Sequence, residues 1–365
     1  MKFQVLHQGF ISRRVPGTPT SCAAGARCVV TGDKEVLCSF IVQAALGGND
    51  FQPVLARSTD GGLTWSEAVP IWPELRERWS IFGSISAAPN RDLLFFGSRT
   101  PIDRPGESFW SDATQGIKQN ELIWSRSADA GRTWAPLRTI PMPIPGSAEA
   151  PGPLCALRDG SLVCCYAPYS TFDPALRVDR HQIVALRSSD GGRSWTGTSM
   201  LRFPDSDSSG AEAWVIQLAD GRLLGTSWHI RTGADPANAY ALSADGGKTW
   251  SATASTGIFG QSTALAALPD GRALFAYNQR KQGEIGVWLA LVNPTATNFG
   301  VEVDQPVWKA EIAAHKEGAT GHSTWTDFAF GEPSVTVLPD GTFLLALWAA
   351  QPSGVGIPYV HLRLA

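Results

Sequence analysis

Short apolar runs separated by compact polar turns extend along the whole chain. Four of the turns carry Asp-Gly between two apolar runs, a strong hairpin signal because Gly takes the positive φ of a tight two-residue turn. Two further turns, at residues 31–34 and 89–92, separate apolar runs in the same way. The pattern predicts six β-hairpins, with turns near residues 33, 90, 159, 220, 270 and 340. They recur every 50 to 70 residues, close to the size of a four-stranded propeller blade with its loops.

A second motif follows the hairpin in four of the six units. It reads Ser-x-Asp-x-Gly-x-Thr/Ser-Trp and occupies residues 58–65, 127–134, 188–195 and 243–250. The Asp accepts backbone N–H groups, the Gly provides a left-handed position, and the Trp buries a large ring beneath the turn. The motif is the Asp-box. We expect it to join the outer two strands of a blade, away from the axis, and to be structural.

With these two repeats, the sequence resembles the sialidase superfamily, a group of Asp-box β-propellers that includes exo-sialidases and other carbohydrate-active enzymes. The resemblance implies a single domain over residues 1–365, an all-β six-bladed propeller with four-stranded antiparallel blades. The blade cores are predicted at residues 18–70, 79–139, 150–200, 210–255, 257–312 and 328–365. Residues 3–11 are predicted to add an outer strand to the last blade and so to close the ring, which removes a sheet edge.

Composition and charge narrow the functional classes. Hydrophobic residues make up 43% of the chain and charged residues 17%, with 37 Gly and 25 Pro, which fits a turn-rich globular protein and excludes disorder and coiled coil. The formal net charge of −3 provides no basic surface for nucleic acid or for an anionic membrane. No apolar segment reaches the ~20 residues of a membrane span.

Two features of the sequence bear on location. The first ten residues contain no apolar run typical of a secretory signal. The six cysteines, at positions 22, 28, 38, 155, 164 and 165, show no zinc-like spacing. We therefore expect reduced thiols and a cytoplasmic protein.

Polar and aromatic residues recur at the ends of the inner strands. Propellers bind ligands over the central channel, where each inner strand begins and the second strand ends. Counting about eight residues back from the turns reaches Glu212 and Glu332, with Glu149 slightly earlier in its blade. Counting about eight forward reaches Arg99, Trp228, His229, Arg231, Tyr277, Arg280 and Trp348. Such a rim suits a sugar, because aromatic faces stack on the ring, carboxylates catalyse, and arginines bind a carboxylate.

Blade four matches the sialidase pattern most closely. Glu212 followed by Leu-x-Asp-Gly-Arg-Leu-Leu at residues 218–224 resembles the strand whose Glu polarises a tyrosine nucleophile in that family. Three arginines bind the substrate carboxylate there. The Arg-Ile-Pro motif of the first arginine is similar to Arg14-Val-Pro, and the third arginine corresponds to Arg280. The second arginine position holds Trp228 and the tyrosine position holds Glu332, which is a departure from a standard sialidase.

The general acid of that family lies in the loop between the second and third strands of blade one. In this sequence the loop spans residues 43–52, and Asp50 is its only carboxylate. A carboxyl group in a partly desolvated pocket can have the raised pKa that leaving-group protonation needs. An Asx turn would select the same residue, and both interpretations stay open.

These residues predict hydrolysis of a terminal glycosidic bond without a cofactor or a required metal. Asp50 is the expected general acid, and Glu332 or Glu212 the nucleophile or base. Glu332 would repel an anomeric carboxylate, so the expected sugar is an aldose or a uronic acid whose carboxylate lies farther from the reacting carbon. The residues expected to bind the oligosaccharide are Arg14, Arg99, Trp228, His229, Arg231, Tyr277 and Arg280.

Two other functions fit the same residues. A polysaccharide lyase would abstract the proton next to a uronate carboxylate, with His229, Tyr277 or His322 as base or acid. A non-catalytic propeller would bind a glycan or a protein on its rim. The loop of residues 315–327 could cap the funnel, while the acidic stretch at residues 205–207 has too few oxygens for calcium.

Overall fold

Six antiparallel sheets surround a central axis in the computed structural model, which describes residues 1–365. The first three blades contain, from the axis outward, Cys22–Val30, Val36–Gln43, Gln52–Ser58 and Val69–Pro70; Trp79–Ala87, Leu93–Pro101, Glu121–Ser127 and Arg138–Ile140; and Ser147–Glu149 with Cys155–Ala156, Leu162–Tyr169, Gln182–Ser188 and Thr196–Arg202. The last three contain Ser208–Gln217, Leu223–Arg231, Ala239–Ser243 and Ala254–Ser255; Gln261–Ala267, Ala273–Gln279, Gly286–Val292 and Val301–Lys309; and Phe330–Val337, Phe343–Gln351, Gly354–Leu364 and Phe3–Arg13.

Helical structure is limited to two 3₁₀ segments, Pro73–Leu75 and His322–Asp327. A small hairpin, Trp110–Ser111 with Gly116–Ile117, projects from the loop between the second and third strands of blade two. No helix is long and apolar enough to span a membrane. The prediction of an all-β six-bladed propeller with four-stranded antiparallel blades is confirmed.

All six predicted hairpin turns join the inner strand of a blade to its second strand. The second strands of blades one and three are buried along their whole length, because each lies inside its sheet and between two neighbouring blades. The blade bounds agree with the predicted cores to within a few residues at most ends. The periodic turn chemistry is therefore sufficient to locate the blades.

Both ends of the chain meet in blade six. The strand Phe3–Arg13 pairs antiparallel with Gly354–Leu364, with Phe3 opposite Leu364. The backbone amide of Lys2 donates to the carbonyl of Ala365 at 2.9 Å. This pairing closes the ring as the sequence predicts, and it satisfies an edge that would otherwise be open.

The four Asp-boxes adopt one hydrogen-bond pattern at the outer edge of their blades. In the first, the side chain of Asp60 accepts from the Ser58 hydroxyl at 2.8 Å and from the Thr64 hydroxyl at 2.6 Å. It also accepts from the backbone amides of Leu63 and Thr64. The same bonds recur around Asp129, Asp190 and Asp245. Each box links the third strand to the fourth, far from the axis.

Replacing Asp60 with Ala should lower the free energy of unfolding by about 1 to 2 kcal/mol, because four hydrogen bonds of a partly exposed turn are lost. Denaturant titration monitored by tryptophan fluorescence measures the change. Asp33→Ala, in an exposed hairpin turn of the same blade, is the matched control and should change stability by less than about 0.5 kcal/mol. Equal losses in the two variants would contradict a structural role for the box.

Candidate functional site

A cavity of about 170 Å³ opens on the axis at the end where the inner strands begin. All six blades contribute to its wall, together with the long loops of residues 102–120 and 310–329. The lining combines many aromatic side chains with acidic and basic groups, and we call the part formed by the inner strands, which carries the three glutamates, the floor. The polar lining residues include Gln43, Ser98, Asn120, Glu149, Glu212, Ser262, Arg280, His322 and Glu332.

The floor is shaped by β-bulges at equivalent positions of four inner strands. In each of these strands the register shifts near the cavity end, and one residue takes a positive φ. The four residues are Gly25, Glu212, Ser262 and Glu332, with φ values of 65°, 50°, 55° and 45°. A bulge re-aims a side chain, and a left-handed non-Gly residue stores strain of about 1 to 3 kcal/mol. The strain concentrates where three polar side chains are directed into the cavity.

Three carboxylates and two guanidiniums cluster at this floor. Glu149, Glu212 and Glu332 line the cavity from blades three, four and six, and Arg280 lines it from blade five. Arg27 of blade one lies buried beside them. The backbone amide of Glu212 donates to Glu149 Oε2, and that of Gly25 donates to Glu332 Oε2, each at 2.8 Å.

The carboxylates are held in different electrostatic environments. Burial and the nearby Glu332 charge raise the pKa of Glu212 to about 7. Burial and Glu212 raise the pKa of Glu149 well above its usual range. Burial also raises the pKa of Glu332, but Arg27, the Gly25 amide and Arg280 all oppose that shift. Unlike Glu149 and Glu212, Glu332 has no neighbouring carboxylate among the causes that raise its pKa, so burial alone opposes its charged form.

Both buried arginines bond to backbone carbonyls of neighbouring blades. Arg27 donates to the carbonyl of Pro151 at 3.1 Å and to that of Glu332 at 3.3 Å, and its guanidinium lies 4.7 Å from the Trp214 ring centroid. Arg280 donates to the Gln261 side chain at 2.6 Å and to the Phe330 carbonyl. The charges of the guanidiniums favour the ionised forms of Glu212 and Glu332, while the bonds to carbonyls hold both arginines in place.

His322 contacts Tyr169 of blade three inside the cavity. His322 belongs to the loop of residues 310–329, which we call the capping loop. The Tyr169 hydroxyl lies 2.9 Å from His322 Nε2. The His322 ring packs against Trp110 and Trp228, with centroid distances of 6.0 and 5.5 Å. Burial and the charge of Arg180 lower the pKa of His322 to about 4, so the imidazole is neutral at pH 7. His322 and Trp325, from the loop that could cap the funnel, line the wall of the cavity together with the adjacent Phe328.

Four of the predicted site residues line the cavity together. They are Glu212, Glu332, Trp228 and Arg280, and the structure adds Glu149 and Trp348 from the same positional count. Their convergence from blades three to six agrees with the expectation that strand ends meet over the axis.

Asp50 does not line the cavity. Its Oδ2 accepts the backbone amide of Ala44, six residues earlier, at 3.0 Å and so closes the loop, although not as an Asx turn, whose amide lies two residues later. The neighbouring Leu46 and Phe51 enter the wall instead. Burial raises the pKa of Asp50 all the same. The position of the side chain gives no support to its assignment as the general acid.

Arg14 and Arg99 also lie outside the cavity. Arg14 follows the outer strand of blade six, where its backbone amide donates to Val355 and its side chain to the Arg13 carbonyl. Arg99 forms a bidentate pair with Glu121 and stacks 4.3 Å from the Trp79 ring centroid. Side chains alternate between the two faces of a strand, and the neighbours Ser98 and Thr100 line the cavity. The side chain of Arg99 is therefore directed away from it.

Three further residues of the predicted set pair with groups outside the cavity. His229 stacks on Phe203 with a centroid distance of 4.7 Å. Arg231 forms ion pairs of 3.1 and 3.2 Å with the carboxylates at positions 205 and 207. The Tyr277 hydroxyl donates to Asp304 at 3.0 Å. Their alternation with Trp228 and Asn278 along the strand places them on other faces.

Arg27 and Tyr169 are absent from the predicted site residues. Arg27 is the only charged residue in the otherwise apolar run of residues 22–30, and that isolation in a core strand is a usable signal. Tyr169 lies ten residues after the turn at 159, as Arg280 does after the turn at 270, so the same count includes it; its contact with His322, 153 residues away, has no such signal.

A family model described as a BNR repeat-like domain matches residues 108–314, more than half of the chain. The chain belongs to this family. A sialidase of Bacteroides fragilis strain YCH46 is 26% identical over an alignment of 216 residues that covers 54% of this chain and 36% of that protein. The BNR-repeat protein thus matches only about a third of the length of this relative.

Solved structures share the propeller. A protein of unknown function from Dyadobacter fermentans has a TM-score of 0.76 at 18% identity, with 100% of this chain and 99% of that chain covered. A Hadza microbial sialidase has a TM-score of 0.68 at 16% identity, with 95% of this chain and 66% of that chain covered. These likenesses show the propeller fold, and the family match together with the Bacteroides fragilis relative supports a divergent member of the sialidase superfamily.

Replacing Arg27 with Met should lower the free energy of unfolding of the BNR-repeat propeller by about 3 to 5 kcal/mol at pH 7, because buried carboxylates lose a buried counter-charge. The loss should be smaller at pH 5, where Glu332 can take up a proton in the variant. Urea titrations at the two pH values measure it. The control Arg99→Met removes a partly exposed pair and should cost about 1 kcal/mol or less. A pH-independent loss would contradict the electrostatic role.

Proposed function

We propose that the protein is a glycoside hydrolase that cleaves a terminal glycosidic bond in the axial cavity. Glu212 is the general acid, and Glu332 is the nucleophile or the base that activates water. The observation that carries this proposal is a pair of buried carboxyl groups on one cavity floor that differ in one neighbour: the charge of Glu332 raises the pKa of Glu212, whereas no carboxylate raises the pKa of Glu332. Two carboxyl groups with separated pKa values are what glycoside hydrolysis requires.

Glu212 has the properties of a proton donor. Its pKa of about 7 keeps it largely protonated below neutral pH, and its Oε2 has no hydrogen-bond partner in the protein. In the reaction its proton moves to the glycosidic oxygen while the bond from that oxygen to the anomeric carbon breaks. The positive φ at Glu212 supports this role, because strain at a bulge is tolerated where it positions a working side chain.

Glu332 has the properties of the charged partner. It accepts the Gly25 amide, and both Arg27 and Arg280 favour its ionised form. Its electron pair attacks the anomeric carbon directly, or it takes a proton from a water that attacks. In either case one water is consumed, and Glu212 recovers its proton by the end of the cycle.

The sugar that this floor favours is a uronic acid or an aldose. Burial raises the pKa values of Glu149, Glu212 and Glu332 and so disfavours their charged forms, while the guanidiniums of Arg27 and Arg280 contribute positive charge at the floor. This charge attracts an acidic sugar, and Arg280 is the guanidinium in the wall. A carboxylate on the anomeric carbon itself would face Glu332 and be repelled.

A β-eliminating lyase is the second candidate, and the Tyr169–His322 pair favours it. A neutral imidazole bonded to a phenol can remove a proton next to a uronate carboxylate and return one to the leaving oxygen. Arg280 would stabilise the carboxylate during proton removal.

The test is a screen of purified protein against aryl aldosides, aryl uronides, sialosides and uronate-containing oligosaccharides, with aryl alcohol release and ultraviolet absorbance followed together. Release of aryl alcohol from a uronide or an aldoside supports the hydrolase. Absorbance of an unsaturated uronate without hydrolysis supports the lyase. If folded protein gives neither signal on any of these substrates, the result supports a non-catalytic binding propeller.

Replacing either catalytic carboxyl separates the two roles. Glu212→Gln should reduce kcat about 10²-fold or more on alkyl glycosides but much less on 2,4-dinitrophenyl glycosides, whose leaving group needs no proton. Glu332→Gln should abolish activity on both. Glu121→Gln, outside the cavity, is the control and should retain activity. An equal loss on both substrates in Glu212→Gln would exclude it as the acid.

The activity should decline with a midpoint near pH 7 on the basic side. Glu212 must be protonated to act, and with a pKa of about 7 it loses that proton as the pH rises. The acidic limb reflects protonation of Glu332. Measurement of kcat/KM between pH 4 and pH 9 gives both limbs, and the basic limb should vanish for dinitrophenyl substrates. Full activity on alkyl glycosides at pH 9 would contradict the assignment.

A further inference from the structure

We propose that Glu149 is a positioning residue for Glu212: it holds the Glu212 backbone amide, so that the side chain of the general acid is directed into the cavity. The inference rests on the proposed function, in which Glu212 protonates the leaving group. That reaction assigns no task to Glu149, although Glu149 lines the cavity together with Glu212 and Glu332. The hydrogen bond of its side chain goes to the backbone of Glu212.

The Glu212 amide lies at a break in the sheet of blade four. The register shifts between Ala211 and Trp214, so Glu212 has no partner on the second strand. A bulge leaves its extra residue outside the ladder, and an unpaired amide away from water is costly. Glu149 Oε2 accepts this amide at 2.8 Å. The bond therefore satisfies the amide that the bulge releases from the sheet.

The backbone of Glu212 is bound by both neighbouring blades. Glu149 of blade three accepts its amide, and the Thr263 hydroxyl of blade five donates to its carbonyl at 3.1 Å. With φ at 50°, the conformation of Glu212 is strained and persists only where the surroundings fix it. The two bonds stabilise the conformation from which the side chain enters the cavity.

Glu149 is itself fixed on the short strand Ser147–Glu149. The Asn120 side chain binds both backbone groups of Ala148, at 2.9 and 2.8 Å. Glu149 pairs with Ala167 of the next strand in blade three. A side chain whose own backbone is held in this way can hold a second residue in place.

The same bond recurs in blade one with a different consequence. Glu332 Oε2 accepts the Gly25 amide at 2.8 Å, and Gly25 is the residue of that bulge with a positive φ. At two places on the floor, a carboxyl group of one blade thus meets the bulge amide of the next blade. Gly25 has no side chain for the bond to direct, whereas Glu212 carries the proton donor. The bond from Glu149 is therefore the one that affects the chemistry of the acid.

Glu149 performs this role as a neutral carboxyl group. The titratable groups that face it are Glu212, Glu332, Arg27, Tyr169 and Cys165. Burial and the two glutamates raise the pKa of Glu149 well above its usual range, against the Glu212 amide and the charge of Arg27. The carbonyl oxygen of a neutral carboxyl group accepts an amide as a carboxamide oxygen does. Glutamine at this position should therefore retain the bond.

The first experiment measures kcat on alkyl and 2,4-dinitrophenyl glycosides of the sugar found in the screen. Glu149→Met removes the acceptor and should reduce kcat at least about tenfold on the alkyl glycoside, which needs the acid, but less than about threefold on the dinitrophenyl glycoside. Glu149→Gln keeps an acceptor oxygen and should restore most of the lost activity. Equal losses on both substrates in Glu149→Met, or a Glu149→Gln variant as impaired as Glu149→Met, would overturn the inference.

The matched control is Gln305→Met. The Gln305 side chain accepts the backbone amide of Phe3 at 2.9 Å and so joins the outer strands of blades five and six. Its loss also removes a side-chain acceptor between two blades, but away from the cavity. Gln305→Met should lower the unfolding midpoint and leave the ratio of the two kcat values unchanged. A change in this ratio would show that the ratio reports stability, and would overturn the inference.

Two NMR measurements separate this inference from the proposed function, because they need no substrate. Deuterium exchange of the Glu212 amide should be slow in wild-type protein and in Glu149→Gln, and at least about tenfold faster in Glu149→Met. The pKa of Glu212, followed by its carboxyl-carbon signal, should be the same in wild-type protein and Glu149→Gln, because one neutral group replaces another. These comparisons hold even if Glu149→Met does not fold.

The outcomes distinguish the two proposals. A protected Glu212 amide without turnover of any glycoside would support the positioning role and reject the hydrolase. Turnover with rapid exchange of this amide in wild-type protein would overturn the positioning role and retain the hydrolase. A lower pKa of Glu212 in Glu149→Gln would show that Glu149 is charged, and would overturn its role as a neutral group.

Discussion

The buried charges around the propeller axis are the constraint on which the rest of the structure depends. Burial of a charge is costly unless partners are close, and the three carboxylates of the floor have two guanidiniums beside them. Arg27 bonds to carbonyls of blades three and six, and Arg280 bonds to a carbonyl of blade six. The groups that neutralise the site are also groups that connect the blades. The same two arginines therefore link neighbouring blades and contribute the positive charge of the cavity.

The repeated stabilising turns lie at the outer edges of the blades, and the residues that line the cavity lie at the inner ends. The outer turns repeat one hydrogen-bond pattern four times, with distances that agree to about 0.1 Å between boxes. The inner ends differ from blade to blade, and four of them contain a bulge with a positive φ. Local strain at the axis is tolerated because the surrounding sheets are buried and regular. This arrangement allows the lining to vary without any change in the scaffold.

The sequence predicts the scaffold better than the site, and the reason is physical. Turn residues and Asp-boxes act locally, so six hairpins and the ring-closing strand can be identified from short segments. Glu212, Glu332, Trp228 and Arg280 follow from a count along strands. The same count fails for Arg99, His229 and Tyr277, because a difference of one residue directs a side chain to the opposite face. The Tyr169–His322 contact and the role of Asp50 depend on loops, which have no period to count.

The pairing of both ends of the chain in blade six imposes an order on folding. Glu332 lies on the inner strand of the blade whose outer strand is Phe3–Arg13, so this blade needs the first and the last strands of the chain together. During synthesis the N-terminal strand has no partner until the strand Gly354–Leu364 has been made. Contacts of such sequence separation form late in folding. Glu332 therefore lies in the one blade whose four strands are present only after both paired end strands have been made.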